Sequence, residues 1–121
     1  MASTIEATLI LKHNGAYILG SPLKLRLTVD EAQEFRHEEA DGGGYVALPT
    51  SEMAEIQVLA VKPDQQVTIR LDGQSDKGIV LNAGGLLLIF DADIDAGAST
   101  NATVDNSSGS TVNLEGIAGG T

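Results

Sequence analysis

Few side chains in this sequence combine the residue types and the spacing that chemistry requires. Asp91, Asp93 and Asp95 sit at alternate positions, and a hard cation takes several carboxylate oxygens offered in that way. The calcium loop of helix-loop-helix proteins puts glycine sixth and glutamate twelfth, where this chain has Ala96 and Ala102. Alternate residues of a strand share one face, so the three carboxylates read as a solvent-facing acidic stripe, with an ion shared at a subunit contact as the alternative. His13 and His37 are the two histidines. His37, flanked by Arg36, Glu38 and Glu39, could pair with a carboxylate as a base, but no nucleophile and no metal-ligand spacing accompanies it. His13 lies in a turn beside Asn14 and Gly15, where a polar ring needs no further role. Gly84 and Gly85 lack the glycine-lysine pattern and the following helix of a phosphate cradle, and read as a turn or bulge. Asn101-Ala102-Thr103 and Asn106-Ser107-Ser108 match the glycosylation acceptor pattern, as a tail rich in Ser, Thr and Asn will by chance. The chain is therefore expected not to be an enzyme, and to fold without metal or cofactor.

Composition narrows the partners. Seventeen acidic residues against seven basic give a net charge of −10, with no basic cluster to neutralise phosphates, so neither nucleic acid nor an anionic membrane is an expected partner. Cysteine is absent, which removes disulfides, thiolate metal sites and a cysteine nucleophile. There is no basic segment followed by a long apolar one and no apolar run near the length of a membrane span, so the expected origin is a cytoplasm. Hydrophobic residues make up 42% of the chain but aromatics only 3%, so the core must be aliphatic and thin, and burial against further copies would supplement it.

The elements that would carry these residues are short strands. Residues 4–12 alternate Ile5, Ala7, Leu9 and Leu11 with polar positions, turn at residues 13–16, and return through residues 17–19 as a hairpin. Residues 23–29 show the cleanest period of two, with Leu23, Leu25, Leu27 and Val29 on one face. Residues 30–40 are ambiguous: Glu, Ala and Gln behind Asp30 suit one short helix, and a charged edge segment suits them equally. Further strands are expected at 45–48, 56–61, 67–71 and 79–81, with 56–61 and 67–71 forming a hairpin through Lys62, Pro63, Asp64 and Gln65. Residues 102–104 and 111–114 read as a lightly packed polar hairpin. The tally is one all-β domain over residues 1–121, a β-sandwich or jelly roll of about eight short strands with short flexible termini.

Leu86, Leu87, Leu88, Ile89 and Phe90 are apolar on both faces. Such a strand invites aggregation at a solvated edge, so it is expected to lie centrally, under a second sheet or a neighbouring subunit. These five residues are the candidate interface, and the alternation does not say which face turns inward.

Residues 45–121 resemble the small virion proteins encoded beside the capsid and tail genes of tailed bacteriophages. The likeness is carried by Ala47-Leu48-Pro49, Val67-Thr68-Ile69-Arg70-Leu71-Asp72-Gly73-Gln74, Gly84-Gly85-Leu86-Leu87-Leu88-Ile89-Phe90 and Ser108-Gly109-Ser110-Thr111-Val112-Asn113-Leu114-Glu115-Gly116. It implies a capsid decoration (cement) protein, a homotrimer made in the host cytoplasm and seated on the virion surface where subunits of the major capsid protein meet. A tail or neck accessory protein is the nearest alternative. A carbohydrate-binding β-sandwich is another, with only Tyr17, Phe35, Tyr45 and Phe90 available for a sugar platform.

Overall fold

The structure is a computed structural model that describes residues 2–42, 45–50, 53–71, 77–95 and 102–121. Its first quarter is an arm. β1 (Ser3–Leu9) and β4 (Leu23–Val29) pair antiparallel from Ser3 opposite Val29 to Leu9 opposite Leu23. Period-two patterning puts Ile5, Ala7, Leu9, Leu23, Leu25, Leu27 and Val29 on one face of this ribbon and Thr4, Glu6, Thr8, Lys24, Arg26 and Thr28 on the other. The ribbon ends in a small hairpin, β2 (Lys12–His13) with β3 (Ala16–Tyr17), closed by Asn14 and Gly15 at φ 51° and 82°. Positive φ at both central residues is the turn whose twist matches the flanking strands.

The remaining strands are β5 (Glu31–Glu39), β6 (Tyr45–Ala47), β7 (Glu55–Pro63), β8 (Val67–Arg70), β9 (Ile79–Leu81), β10 (Leu87–Asp95), β11 (Thr103–Asp105) and β12 (Val112–Gly120). They form two antiparallel sheets, β10-β7-β12-β5 and β9-β8-β11-β6. From β5 onward each connection except β8 to β9 crosses from one sheet to the other, and each strand's counterpart in the second sheet is a neighbour in sequence. Eight strands wired in this way make a jelly roll. The main core lies between the sheets, with Ile56, Leu59, Val61, Val67, Ile69, Val104, Val112 and Leu114 at its centre. A second, smaller core lies on the outer face of the β10-β7-β12-β5 sheet, where Ile5, Leu27 and Val29 of the ribbon meet Val58, Phe90, Ala32 and Ile117.

Several expectations change. Residues 31–39 are a strand and not a helix: Phe35, His37 and Glu39 turn inward at period two while Glu34, Arg36 and Glu38 stay in solvent, so the charged edge segment is the reading that holds. The expected hairpin of residues 56–61 with 67–71 is an arch, since β7 and β8 belong to different sheets and meet through side chains and not through ladder bonds. The same applies to residues 102–104 and 111–114, which are core strands of opposite sheets joined around Asn106. A hairpin and an arch share one strand-turn-strand pattern, which is why alternation alone does not separate them. The C-terminal residues 118–120, expected to be flexible, are buried and paired on both sides, with Ala118 opposite Gln33 and Leu59. Small residues are required there. A Cβ on Gly119 would meet Ile5 and Val29 of the ribbon, and one on Gly116 would run into the Ala60 carbonyl oxygen and the Phe35 ring.

Candidate functional site

The residues singled out for chemistry do not converge. Asp91 and Asp93 are exposed on the second half of β10, where the register with β7 shifts between Phe90 and Ile94 and Asp91 adopts φ 57°. Asp95 closes the strand opposite Glu55, and its side chain lies outside the described residues, as do Ala96 and Asn101. No three metal-ligating side chains cluster among the described residues. His13 is exposed at the arm tip, and His37 is half-buried on β5 with its Nε2 shielded from solvent and unbonded. Gly84 turns the chain from β9 to β10 at φ 75°, its N–H donating to the Pro63 carbonyl at 2.8 Å.

Two polar residues brace the crossings between sheets. Asn106 is fully buried: its Nδ2 donates to the Glu39 carbonyl at 2.9 Å and the Ser110 carbonyl at 2.8 Å, and its Oδ1 accepts from the Ser108 N–H at 3.1 Å. That role leaves its amide inaccessible to glycosylation. Asp64 accepts from the Asn113 N–H at 2.7 Å and the Asn113 side chain at 3.1 Å, which holds its carboxyl below the usual range and ties the β7–β8 arch to β12. Glu39 is the anomaly. Only 4% exposed, it has no hydrogen-bond partner among the described residues for either carboxylate oxygen, and burial followed by the charge of Asp105 pushes its pKa up to about 6. An open groove of about 560 Å³ runs past Arg36, Glu38, Lys62, Asp64 and Asn113. It contains no aromatic platform: Phe35 and Phe90 pack on the two cores, and Tyr17 stands on the arm with the Lys12 ammonium 4.8 Å from its ring centre.

The candidate interface residues are placed differently from expectation. Among the described residues β10 is an edge strand, paired only with β7, and not a central one. Its two apolar faces have two covers: Leu87 and Ile89 turn into the core between the sheets, and Phe90 turns outward under the ribbon. The second sheet and the ribbon supply the cover expected from a second sheet or a neighbouring subunit. Leu88 is half-buried on the outward face, and Leu86 is 61% exposed.

Among the described residues, the large apolar side chains most open to solvent fall into two groups. Ile79, Val80 and Leu86 lie along the flank formed by β9, β10 and their connection. Ile10, Leu11, Tyr17, Ile18 and Leu19 crown the arm, with Leu19 68% exposed at φ 56°. This crown is fixed in place. The Ser21 hydroxyl accepts from the Leu11 N–H at 3.1 Å, and the Ile18 N–H donates to the Leu11 carbonyl at 3.0 Å. Reading the sequence as a plain hairpin missed the crown, although Leu9-Ile10-Leu11 and Ile18-Leu19 flanking a tight turn break the alternation and mark it. Comparison with known proteins returns no match: no family model, curated protein or solved structure is significantly similar to this chain.

Proposed function

We propose that this chain is a structural protein that works by surface binding, as a self-associating capsid decoration protein seated on a virion where capsid subunits meet. The observation that carries this reading is the distribution of exposed aliphatic side chains. They are gathered on an ordered arm and on one flank of an otherwise acidic jelly roll, where function by buried area and shape would place them. The wiring supports it by analogy, because jelly rolls recur in viral capsid proteins, as they do in lectins and cupins. The bacteriophage-like segments cover β8 and the start of β10, which build the flank and its support.

Imaging of assembled particles tests the proposal. Density for the chain is expected at the junctions of capsid subunits, and purified protein is expected to bind bare shells and raise their resistance to heat. Location on a neck or tail would replace decoration with an accessory role. Particles lacking the protein would overturn the virion reading, and selective binding on a glycan array, abolished by altering Asp64 or Asn113 in the polar groove, would favour a carbohydrate-binding module.

A further inference from the structure

We infer that the arm of one copy docks, through its crown and the distal aliphatic face of its ribbon, on the β9–β10 flank of a second copy. The inference rests on the self-association in the reading above and names the two surfaces that make it.

Among the described residues of one chain the ribbon joins a core only at its root, in the cluster of Ile5, Leu27 and Val29 with the sheet. Beyond the root, Ala7, Leu9, Leu23 and Leu25 are half-buried with no part in either core, and the crown that follows is exposed. A two-stranded ribbon is marginal in water without an apolar face packed on something. Leu19 adds a second cost, an aliphatic residue held at positive φ and presented to solvent. The flank has the complementary deficit: among the described residues β9 and β10 are the edge strands of their sheets, each with a strand partner on one side only, and Ile79, Val80 and Leu86 are exposed.

Charge selects a second copy as the occupant. Residues 1–29 hold Lys12, Lys24 and Arg26 against Glu6 alone, a net +2, whereas residues 30–121 hold the other sixteen acidic and four basic side chains, a net −12. An arm is therefore attracted to any body of its own kind, while two bodies repel. Arm and flank are different surfaces, so the contact is head-to-tail. Such contacts close into a ring or run on as a filament, and three of them in a ring make the trimer.

Sedimentation of the full chain at micromolar concentration tests this, with an arm variant (Leu19→Asp with Leu25→Asp) and a flank variant (Val80→Asp with Leu86→Asp), each checked for folding by circular dichroism. The unaltered chain is expected to associate, and each variant to be monomeric. Mixed in equal amounts, the two variants are expected to form a 1:1 dimer and nothing larger, because only one intact arm and one intact flank remain. Monomeric variants that fail to complement would overturn the head-to-tail contact, and variants that still associate would overturn the choice of surfaces while leaving self-association standing. A monomeric unaltered chain that still decorates particles would sink this inference alone; an arm-dependent oligomer that ignores particles would sink the virion reading alone. Should the aspartate variants misfold, Lys24→Glu with Arg26→Glu, on the polar face, is expected to weaken association about tenfold at low salt, and no change would count against the docking.

Discussion

The arm and the jelly roll are written in the same alternating pattern, yet they spend it differently. Leu23, Leu25 and Leu27 of β4 and Val67 and Ile69 of β8 both repeat an aliphatic every second residue. In β8 that row is almost fully buried between two sheets, whereas in β4 only the root reaches a core. Alternation thus specifies a face and leaves open what the face meets. What differs is the number of layers available: β8 has a neighbour on each side and a sheet opposite, and the distal ribbon has one pairing partner and no sheet opposite.

The contrast can be broken most sharply by truncating matched leucines. Leu59→Ala in the core is expected to cost about 4 kcal/mol, while Leu25→Ala on the arm of the dilute protein should cost about 1 kcal/mol or less. Denaturant melts of both variants measure the difference, and equal losses would mean that arm and body unfold as one unit. Gly116→Ala comes next. Its Cβ would strike the Ala60 backbone, which has no room to yield between paired strands, and about 3 kcal/mol of stability is expected to go.

Glu39 sharpens the comparison through pH, because it is confined to the jelly roll. Its pKa in the folded state, about 6, lies above the ordinary 4.5, so the native protein holds this proton more tightly than the unfolded chain does. The stabilisation is complete below the ordinary carboxylate range and is lost as pH rises through about 6. At pH 8, Glu39→Gln is expected to be more stable than the unaltered protein by about 2 kcal/mol, and the gap should close toward pH 4. A gap that stayed constant across this range would assign the effect to packing. The smallest effect belongs to the arm: Gly15→Ala places a side chain at φ 82° in open space, costs about 1 kcal/mol locally and should speed amide exchange in β2 and β3 without moving the melt of the body.

Much of this architecture can be read from the residues, and the failures share a cause. Strands were visible wherever an aliphatic recurs every second residue, as in residues 4–12, 23–29, 56–61 and 67–71, although the first ends at Leu9 and the last at Arg70. The sheets to which they belong were not, because Lys62, Pro63 and Asp64 turn the chain equally well into a hairpin or across a sandwich. β5 was ambiguous because its inward row includes His37 and Glu39, polar residues where a core strand would carry aliphatics. Residues 118–121, the end of β12, looked like a tail because they are small or polar, and Gly119 and Gly120 are small because the ribbon and the backbone of β7 press on them. Residues 86–90 were marked as needing cover on both sides; Leu87, Ile89 and Phe90 have it, and Leu86 stays exposed. That the ribbon is one of the covers, and that its far end is itself uncovered, depends on where the arm lies, and no local pattern reports that.

The position of β12 also bears on the order in which the molecule can form. Among the described residues β5 pairs with no strand but β12, from Glu31 opposite Gly120 to Glu39 opposite Val112, and β12 separates β5 from β7. During synthesis β5 therefore emerges with its hydrogen-bonding edge and Phe35 without a partner, and remains so until residues 112–120 have been made. Loop closure of that span must precede any gain from the pairing, which makes folding slow and leaves the nascent chain open to mispairing at the β5 edge. The carboxylates of Glu31, Glu34, Glu38 and Glu39 outnumber the one arginine, Arg36, along that waiting strand and supply the repulsion that keeps two such chains apart.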